Sequence, residues 1–386
     1  MQTVTVNAST RYEVLIEKGL LSRTGELTAN VFAPSRSTAA IITDDTVAGL
    51  YLRPVVESLK AAGFRICSMD VPHGEDSKSH EVLLQVYDFL IQNNITRSDF
   101  VVALGGGVVG DLAGFAAATY LRGIPFVQIP TTFLAAIDSS VGGKTAINLE
   151  AGKNLVGAFK QPSYVCADTD TLATLPEREW RCGCAEVAKS AVIDSDEFFF
   201  WMADHAVAIA AREAEAVSEA IARCVVFKAD VVAMDKTESK GVRECLNYGH
   251  TLGHAVEKLA GYGTFTHGEG VAEGMRFAAR MAIDLVGAAP EFVEAQDELL
   301  DALGLPPLAW SAEPEALLDA MKRDKKARGG HVRFVLPRDV GEWELVEVDD
   351  AVAGVFVYEQ ADHVASDEAC SACDHYISFP HLIFRL

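Results

Sequence analysis

Polar side chains that suit metal binding lie at helical spacing between positions 243 and 254. His250 and His254 are four residues apart, so a helix would place both imidazoles on one face. Asn247 and Arg243 lie one and two turns earlier, which extends the row with polar groups where an ordinary buried face would be apolar. An isolated pair of histidines at this spacing is also typical of a plain amphipathic helix. The extended polar row favours a functional site.

A third histidine, His267, follows shortly after that row. It comes after Gly261 and Gly263, where the predicted helix should end and a loop could return the chain toward His250. Two imidazoles and one carboxylate from elsewhere would make a three-ligand Zn²⁺ site with a fourth position open for a substrate. The spacing therefore predicts a metal site that can also hold a substrate.

Glu186 is the candidate for the third ligand. It is a lone carboxylate in an otherwise apolar, small-residue run, which continues to Lys189. Because Glu186 and Lys189 are three residues apart on a predicted helix, they would ordinarily form a surface ion pair of little energetic consequence. The residues alone leave both interpretations open.

A glycine-rich turn, Gly105-Gly-Gly-Val-Val-Gly-Asp111, comes directly after a predicted strand that ends at Leu104. Glycines there let the backbone approach a pyrophosphate closely, and the helix that follows would offer unpaired N–H groups. The usual acidic partner about twenty residues later is missing, so Asp44, at the end of an earlier strand, is the candidate for the ribose. The alternative is a tight strand-to-helix turn that binds nothing.

Cationic and amide side chains collect further along the same half of the chain. Lys144, Lys153 and Asn154 lie in Ser- and Gly-rich sequence that suits a phosphorylated or carboxylated ligand, and Arg122 adds another donor. The Gly-Gly-Lys-Thr sequence superficially matches a P-loop but fails its spacing, because Asp138 stands where the first glycine is required. A solvated loop with two lysines is the alternative.

The pattern of apolar residues predicts alternating strands and helices in the first half of the chain. Short continuous apolar runs at 39–43, 100–104 and 126–129 are typical of buried parallel strands, and helical patterns cover 47–62 and 80–93. This alternation indicates βαβ units. We therefore predict an α/β domain with a Rossmann-like open parallel sheet and helices on both faces.

Long Ala-, Glu- and Val-rich helical patterns replace the strands after about residue 175, and one late strand is predicted at 331–336. We predict an NAD-binding α/β domain at 1–175 and a mainly α-helical, metal- and substrate-binding domain at 176–359. The remaining segment, 360–386, is predicted to be a poorly ordered tail.

That tail carries Cys370 and Cys373, with His375 and His381 nearby. Such a set can bind Zn²⁺. We favour an appendage without a metal, because chain termini fray and this segment is too short to bury a core of its own.

Composition restricts the class of protein. The 386 residues are 49% hydrophobic and 23% charged, with a net charge of −22. Nucleic acids and anionic membranes would repel so acidic a chain, and an anionic substrate would need a locally basic pocket. The chain opens like a short strand rather than a signal peptide, its apolar tracts are interrupted by charged residues, and its eight cysteines are scattered. We expect a cytoplasmic protein with reduced thiols.

Several long motifs resemble those of the 3-dehydroquinate synthase family, the NAD- and metal-dependent cyclases of the shikimate pathway within the sugar-phosphate cyclase superfamily. The resemblance covers roughly residues 1–350, and it is highly specific because the motifs are long and ordered. They are GGGVVGDLAGFAAATYLRG, PTTFLAAIDSSVGGKTAINLEAGKNLVGAF, DTDTLATLPERE, AEVAKS, LNYGHTLGHAVE and HGEGVAEGM.

The resemblance implies site residues of three kinds. A Zn²⁺ or Co²⁺ ion would be held by Glu186, His250 and His267. The residues implied to bind NAD⁺ are Asp44, Glu75, Lys78, Gly106, Gly107, Val108, Asp111, Thr131, Thr132, Lys153, Thr171, Leu172 and Thr174. The residues implied to contact the substrate are Arg122, Asp138, Lys144, Asn154, Lys189, Lys228, Arg243, Asn247, His254 and one of two adjacent lysines, with Lys325 favoured over Lys326.

The implied reaction converts 3-deoxy-arabino-heptulosonate 7-phosphate to 3-dehydroquinate and phosphate. It proceeds by transient oxidation with NAD⁺, phosphate elimination, reduction and intramolecular aldol cyclisation, and the family expectation is a homodimer. The alternatives are another sugar-phosphate cyclase, such as an aminodehydroquinate or 2-deoxy-scyllo-inosose synthase, or a metal-dependent glycerol-type dehydrogenase that releases NADH. A regulatory protein on a retired scaffold is disfavoured, because no motif lysine, arginine or metal ligand is missing.

Overall fold

The computed structural model describes most of the chain outside the predicted tail. The described residues are 1–34, 37–261, 263–324, 331–349 and 352–358. The cysteines and histidines of the predicted tail site, and the two candidate lysines at 325 and 326, lie outside the described residues. No helix within these ranges is long and apolar enough to cross a membrane.

The strands of the described residues fall into one large sheet and two hairpins. They are β1 (Gln2–Asn7), β2 (Arg11–Glu17), β3 (Thr38–Asp44), β4 (Arg65–Val71), β5 (Phe100–Gly105), β6 (Phe126–Pro130), β7 (Lys144–Leu149), β8 (Gly152–Phe159), β9 (Val165–Asp168), β10 (Val332–Asp339) and β11 (Glu342–Val348). The sheet has the order β1-β2-β9-β6-β5-β3-β4, while β7 pairs with β8 and β10 with β11. Only β1 runs antiparallel to its neighbour in that sheet. The predicted parallel sheet therefore gains an antiparallel edge strand.

Helices cover both faces of the sheet, as predicted. They are α1 (Thr24–Ala29), α2 (Asp45–Val47), α3 (Arg53–Ala61), α4 (His80–Gln92) and α5 (Gly107–Thr119). Ala40 and Ile42 of β3 share an apolar cluster with Leu90 of α4. Ile41, between them, shares a separate cluster with Leu59 of α3. Because successive strand residues point to opposite faces, this division places α3 and α4 on the two sides of the sheet.

The second half of the molecule is mainly helical. Its helices are α6 (Glu177–Asp194), α7 (Asp196–Ala210), α8 (Ala214–Met234), α9 (His250–Ala260), α10 (His267–Val286), α11 (Pro290–Ala302) and α12 (Pro314–Asp324), followed by a helical stretch at 352–358. Their apolar core also includes Val6 of β1 and Ile16 of β2, so the first hairpin of the chain packs with the helices. The domain boundary near residue 175 stays a prediction.

The prediction that Arg243 and Asn247 continue the helical face of His250 is wrong. Residues Val242–Asn247 form a 3₁₀ segment, and α9 begins only at His250. The break occurs at Gly249, which has φ 77°, a left-handed conformation that a glycine adopts without a steric cost. The imidazole row of α9 therefore starts at its first residue.

Two further segments differ from their patterns. Lys144 pairs with Phe159 in the β7–β8 hairpin, so the alternative of a solvated loop does not apply to this residue. The long helical pattern after residue 175 is divided, since α7 ends at Ala210 and Arg212 adopts φ 61° before α8 begins.

Helices α9 and α10 cross at a contact made by glycines. A Cβ on Gly274 would lie 1.8 Å from the Gly249 carbonyl oxygen, and a Cβ on Gly253 would lie 2.8 Å from the Gly270 carbonyl oxygen. These distances leave no room for a side chain between the two backbones. This close packing lets the imidazole rings of His250, the first residue of α9, and His267, the first residue of α10, meet with their centres 5.0 Å apart.

Substitution of Gly274 by alanine should therefore destabilise the protein. The added methyl group meets a backbone oxygen rather than a flexible side chain, so we expect a loss of about 2 kcal/mol, typical of overpacking. Urea denaturation measures the loss. Gly49→Ala is the matched control, because a Cβ there would contact nothing within 4 Å and its stability should be unchanged or slightly higher. Equal stability of both variants would contradict the close crossing.

Candidate active site

The structure brings Glu186, His250 and His267 together. Glu186 comes from the middle of α6, and its Oε1 lies 3.5 Å from His250 Nε2 and 3.4 Å from His267 Nε2. One ligand atom from each residue lies within 4.8 Å of the others. The three residues predicted as metal ligands thus converge in space from three different helices.

The chemistry of this donor set fits a divalent metal. Glu186 Oε1 is buried and has no hydrogen-bond partner in the described part of the chain. Burying a carboxylate oxygen without a partner is unfavourable, and a cation between it and the two imidazole nitrogens would satisfy it. Two nitrogens and one oxygen are a ligand set that Zn²⁺ uses in catalytic sites.

Charges around Glu186 keep the carboxylate ionised. Burial opposes ionisation, but Lys189, which forms an ion pair with Glu186 Oε2, and the two imidazoles together hold the pKa of Glu186 well below its ordinary value. Lys189 is itself buried, and the attraction of Glu186 raises its pKa. Its ammonium also donates to the Leu246 carbonyl oxygen at 2.9 Å. The Glu186–Lys189 ion pair, which at this spacing would ordinarily lie on the surface, is therefore buried inside the site.

Hydrogen bonds orient both imidazoles. His250 Nδ1 donates to the Tyr248 carbonyl oxygen at 3.0 Å, and His267 Nδ1 lies 3.1 Å from Glu257 Oε2. Both acceptors leave the Nε2 atom of each ring facing Glu186. Burial and Lys189 hold the pKa of His250 well below its usual range. Burial also disfavours the charged form of His267, yet Glu186 and Glu257 raise its pKa to about 9.

The predicted nucleotide residues lie at the carboxyl edge of the sheet. The chain order reverses between the neighbouring strands β3 and β5, and such a switch point opens a crevice where α/β sheets bind ligands. Asp44 ends β3, while Gly106 precedes α5 and supplies no side-chain cap. A Cβ on Gly106 would lie 2.9 Å from the Thr132 methyl carbon. The Thr131 hydroxyl is buried without a hydrogen-bond partner in the described residues. These features fit a dinucleotide.

Other predicted nucleotide residues form a hydrogen-bonded network beside α5. Lys78 Nζ donates to Asp111 Oδ2 at 2.7 Å and to Asn154 Oδ1 at 2.6 Å. Glu75 Oε1 accepts from Asn148 at 2.7 Å. Asn154 was predicted to contact substrate, so cofactor and substrate residues share this network. It ties the β7–β8 hairpin to the start of α5.

A third predicted nucleotide segment, Thr169–Thr174, is a 3₁₀ turn after β9. The hydroxyl of Tyr51 donates to the Thr171 carbonyl oxygen at 3.0 Å and lies 2.5 Å from Thr174 Oγ1. The side chain of Leu172 is buried in the core of the helical half. The Thr169–Thr174 turn is therefore held against the residues that follow β3. Another predicted nucleotide residue, Val108, lies in the first turn of α5.

Two of the cationic side chains predicted to bind anions, Lys228 and Arg243, are buried or nearly so. Lys228 Nζ donates to the carbonyl oxygen and to Oδ1 of Asp138, both at 2.6 Å, and burial lowers its pKa in spite of that carboxylate. Arg243 is buried, and its Nε has no hydrogen-bond partner in the described part of the chain. Its guanidinium carbon lies 5.7 Å from the centre of the Phe159 ring. A buried guanidinium with a spare donor suits an anionic ligand.

The remaining predicted substrate residues differ in position. Lys144 is half-exposed and pairs with Glu238 at 2.7 Å, and Asn247 donates to Glu244 at 3.1 Å. The His254 ring centre lies 5.3 Å from that of His250. Arg122 is exposed just beyond the C-terminal end of α5, and its contact with substrate stays a prediction.

Glu257 and Tyr248, which orient the two imidazoles, were not among the predicted site residues. A signal for Glu257 was present, because His250, His254 and Glu257 are spaced by four and three residues and share one face of α9. Tyr248 acts through its backbone carbonyl, which no side-chain pattern can indicate.

The chain is similar in sequence to proteins of known activity. The family model described as 3-dehydroquinate synthase N-terminal matches residues 68–182, and the one described as 3-dehydroquinate synthase C-terminal matches residues 183–327. The chain is 45% identical to a 3-dehydroquinate synthase of Geotalea uraniireducens, over 91% of this chain and 97% of that protein. It is 50% identical to one of Geobacter metallireducens, over 81% and 86% respectively.

Solved structures with the same fold include two cyclases. A 2-deoxy-scyllo-inosose synthase complexed with carbaglucose-6-phosphate, NAD⁺ and Co²⁺ matches with a TM-score of 0.85 and 26% identity, over 93% of this chain and 100% of that one. The 2-epi-5-epi-valiolone synthase of Streptomyces hygroscopicus, with NAD⁺ and Zn²⁺ bound, matches with a TM-score of 0.83 and 26% identity, over 93% and 99%. A Schizosaccharomyces pombe glycerol dehydrogenase shares the fold alone, at 14% identity and a TM-score of 0.63 over 92% and 90%.

Protons should compete with metal for the site. With a pKa of about 9, His267 holds a proton at neutral pH, and metal binding must displace it, whereas Glu186 and His250 are already deprotonated. The apparent affinity of metal-free protein for Co²⁺ should therefore rise about tenfold per pH unit between about pH 6.5 and 8.5. Chelator competition at several pH values measures it. A constant affinity over that range would contradict a protonated His267.

Proposed function

Because the chain belongs to the 3-dehydroquinate synthase family, we propose that the site of Glu186, His250 and His267 performs that family's reaction. The enzyme converts 3-deoxy-arabino-heptulosonate 7-phosphate to 3-dehydroquinate and phosphate, a step of aromatic amino acid biosynthesis. The observation that carries the proposal is the convergence of one unsatisfied carboxylate oxygen and two imidazole Nε2 atoms at a single point.

The enzyme uses NAD⁺ and a divalent metal, Zn²⁺ or Co²⁺. When bound, the metal acidifies a substrate hydroxyl as a Lewis acid, and NAD⁺ accepts a hydride and returns it. Glu186, His250 and His267 would hold the metal, and the carboxyl edge between β3 and β5 would hold the cofactor. Asp44, Gly106 and Thr131 are the residues there whose geometry suits a dinucleotide.

The cationic residues of the site would bind the carboxylate and phosphate of the substrate. Arg243 and Lys228 are buried or nearly so, and donors in a desolvated pocket hold anions more strongly than donors in water. Lys189 places another positive charge beside Glu186. These groups explain how a chain of net charge −22 can use an anionic substrate, since its positive charges are gathered at the site.

A link across the molecule supports a shared pocket for cofactor, metal and substrate. Lys153 and Asn154 are neighbours on β8, and Lys153 lies 3.4 Å from Glu257 on α9, whereas Asn154 contacts Lys78 beside α5. The β7–β8 hairpin thus touches both the metal helices and the nucleotide edge. That arrangement would keep a transiently oxidised substrate next to the reduced cofactor.

We also propose that the enzyme is a cytoplasmic homodimer without nucleic-acid or membrane partners. The family resemblance supports the dimer, and the strongly negative net charge disfavours polyanionic partners.

Phosphate release from the heptulosonate phosphate tests the proposed reaction. Release should require both NAD⁺ and metal, so omission of NAD⁺ or addition of a chelator should abolish it, and His250→Ala should do the same. NADH should not accumulate, because the hydride returns to the substrate. Net NADH formation without phosphate release would instead indicate a dehydrogenase of the glycerol type.

Arg243→Ala should mainly weaken substrate binding. Loss of a charged donor to an anion costs about 1.5–3 kcal/mol, so we expect KM to rise roughly tenfold or more with a smaller change in kcat. Steady-state kinetics of phosphate release measure both. Arg53→Ala is the control, because Arg53 is exposed in a surface ion pair with Glu57 and its loss should leave KM unchanged. Parent-like kinetics of Arg243→Ala would remove Arg243 from the substrate site.

A further inference from the structure

Glu257 lies between the metal site and the β7–β8 hairpin. It is the third member of the α9 row that begins at His250, and it is 7% exposed. Its Oε2 lies 3.1 Å from His267 Nδ1, and its Oε1 lies 3.4 Å from Lys153 Nζ. One carboxylate therefore contacts a predicted metal ligand with one oxygen and a predicted cofactor residue with the other.

The contact with His267 determines how that ring can act. An ionised carboxylate accepts hydrogen bonds only, so Glu257 favours the ring form in which Nδ1 carries the proton and Nε2 keeps its lone pair. His267 Nε2 is the atom that faces Glu186, at 3.4 Å. Without Glu257, the ring could turn about its bond to Cβ or exchange the roles of its two nitrogens.

The two imidazoles of the site are oriented by different means. His250 donates to the backbone carbonyl of Tyr248, an acceptor that substitution of the side chain does not remove. His267 depends on a charged side chain. A carboxylate acceptor also makes an imidazole a stronger electron donor to a metal than a neutral acceptor does. The His267 ligand is therefore the one whose strength a single side chain can change.

We propose that Glu257 is a positioning residue that fixes the ring of His267 for metal binding. This inference rests on the proposed function, because it requires Glu186, His250 and His267 to be the metal site. Glu257 acts through His267 rather than on the reacting atoms. Through Lys153 it also ties the position of this ligand to the hairpin that reaches the nucleotide edge.

Co²⁺ binding to the chelator-treated full-length protein tests the role of Glu257. We expect Glu257→Ala to raise the Kd for Co²⁺ by about 10–100-fold, a range typical for loss of a group that orients a metal ligand. Glu257→Gln keeps a neutral acceptor, so its Kd should be intermediate. The visible absorption bands of bound Co²⁺ should shift in both variants, because the ligand field of His267 changes.

Glu273→Gln is the matched control. Glu273 is a buried carboxylate on α10 that accepts from the Leu308 N–H at 3.1 Å, well along the helix from His267. Its substitution can lower the thermal midpoint, but it should leave the Kd for Co²⁺ and the visible bands as in the parent. A general loosening of the helical half would instead weaken Co²⁺ binding in the control as much as in the Glu257 variants, and that result would overturn the proposal.

The remaining outcomes separate this proposal from the metal site itself. Parent-like Co²⁺ binding by Glu257→Ala, with binding lost in His250→Ala, would overturn the role of Glu257 and leave the metal site intact. Loss of Co²⁺ binding in Glu257→Ala as complete as in His250→Ala would indicate that Glu257 is itself a metal ligand. That result would overturn its role as a positioning residue. Unchanged binding in both variants would show that the metal site is elsewhere. If Glu257→Ala does not fold, a parent-like Kd and spectrum in Glu257→Gln would overturn the proposal.

Discussion

Burial of the Glu186 carboxylate is the constraint on which the rest of the site depends. A charge that is 2% exposed is costly unless opposite charges compensate it, and removal of one partner from such a group costs about 3–5 kcal/mol. Lys189 compensates one oxygen from the same helix, and the imidazoles of His250 and His267 approach the other from α9 and α10. Among the residues that the structure describes, none forms a hydrogen bond with the oxygen that faces the imidazoles. The packing of three helices therefore holds an open ligand atom in place.

That convergence requires α9 and α10 to pack closely in opposite directions, with Gly249 against Gly274, Gly253 against Gly270 and Glu257 against His267. The two imidazole ligands are the first residues of these helices, and their ring centres lie 5.0 Å apart across the contact. Glycine pairs on the two helices permit it, since a Cβ on Gly274 would overlap the Gly249 carbonyl oxygen. Gly249 also supplies the left-handed turn that starts α9. One residue thus serves both the start of a helix and its contact with the next, and larger side chains would move both ligands away from Glu186.

The outline of the sheet and the convergence of Glu186, His250 and His267 could be predicted from the residues, because both rest on local spacing and composition. Continuous apolar runs marked β3, β5 and β6, and the separation of His250 from His267 by a glycine-rich turn indicated that the two rings return to each other. The row from Arg243 to His254 was predicted wrongly, because Gly249 breaks the helix through its backbone rather than through any pattern of side chains. The β7–β8 hairpin was missed because β7 buries a continuous run and β8 is exposed along most of its length, so neither strand shows the apolar alternation that predicts a strand. The hairpin also contacts Lys78, which lies far away in the chain.

The hairpin also explains why cofactor, metal and substrate residues are interleaved in the chain. Asn154 adopts φ 56°, a left-handed conformation, and the two neighbouring side chains diverge: Lys153 reaches Glu257, while Asn154 reaches Lys78. A change of conformation at β8 therefore acts on the orienting carboxylate of His267 and on the network beside α5 together. An enzyme that must oxidise and then reduce the same bound molecule needs its metal and its nicotinamide in a fixed relation to each other. A strand with one residue directed at each site provides that relation without a direct contact between the two.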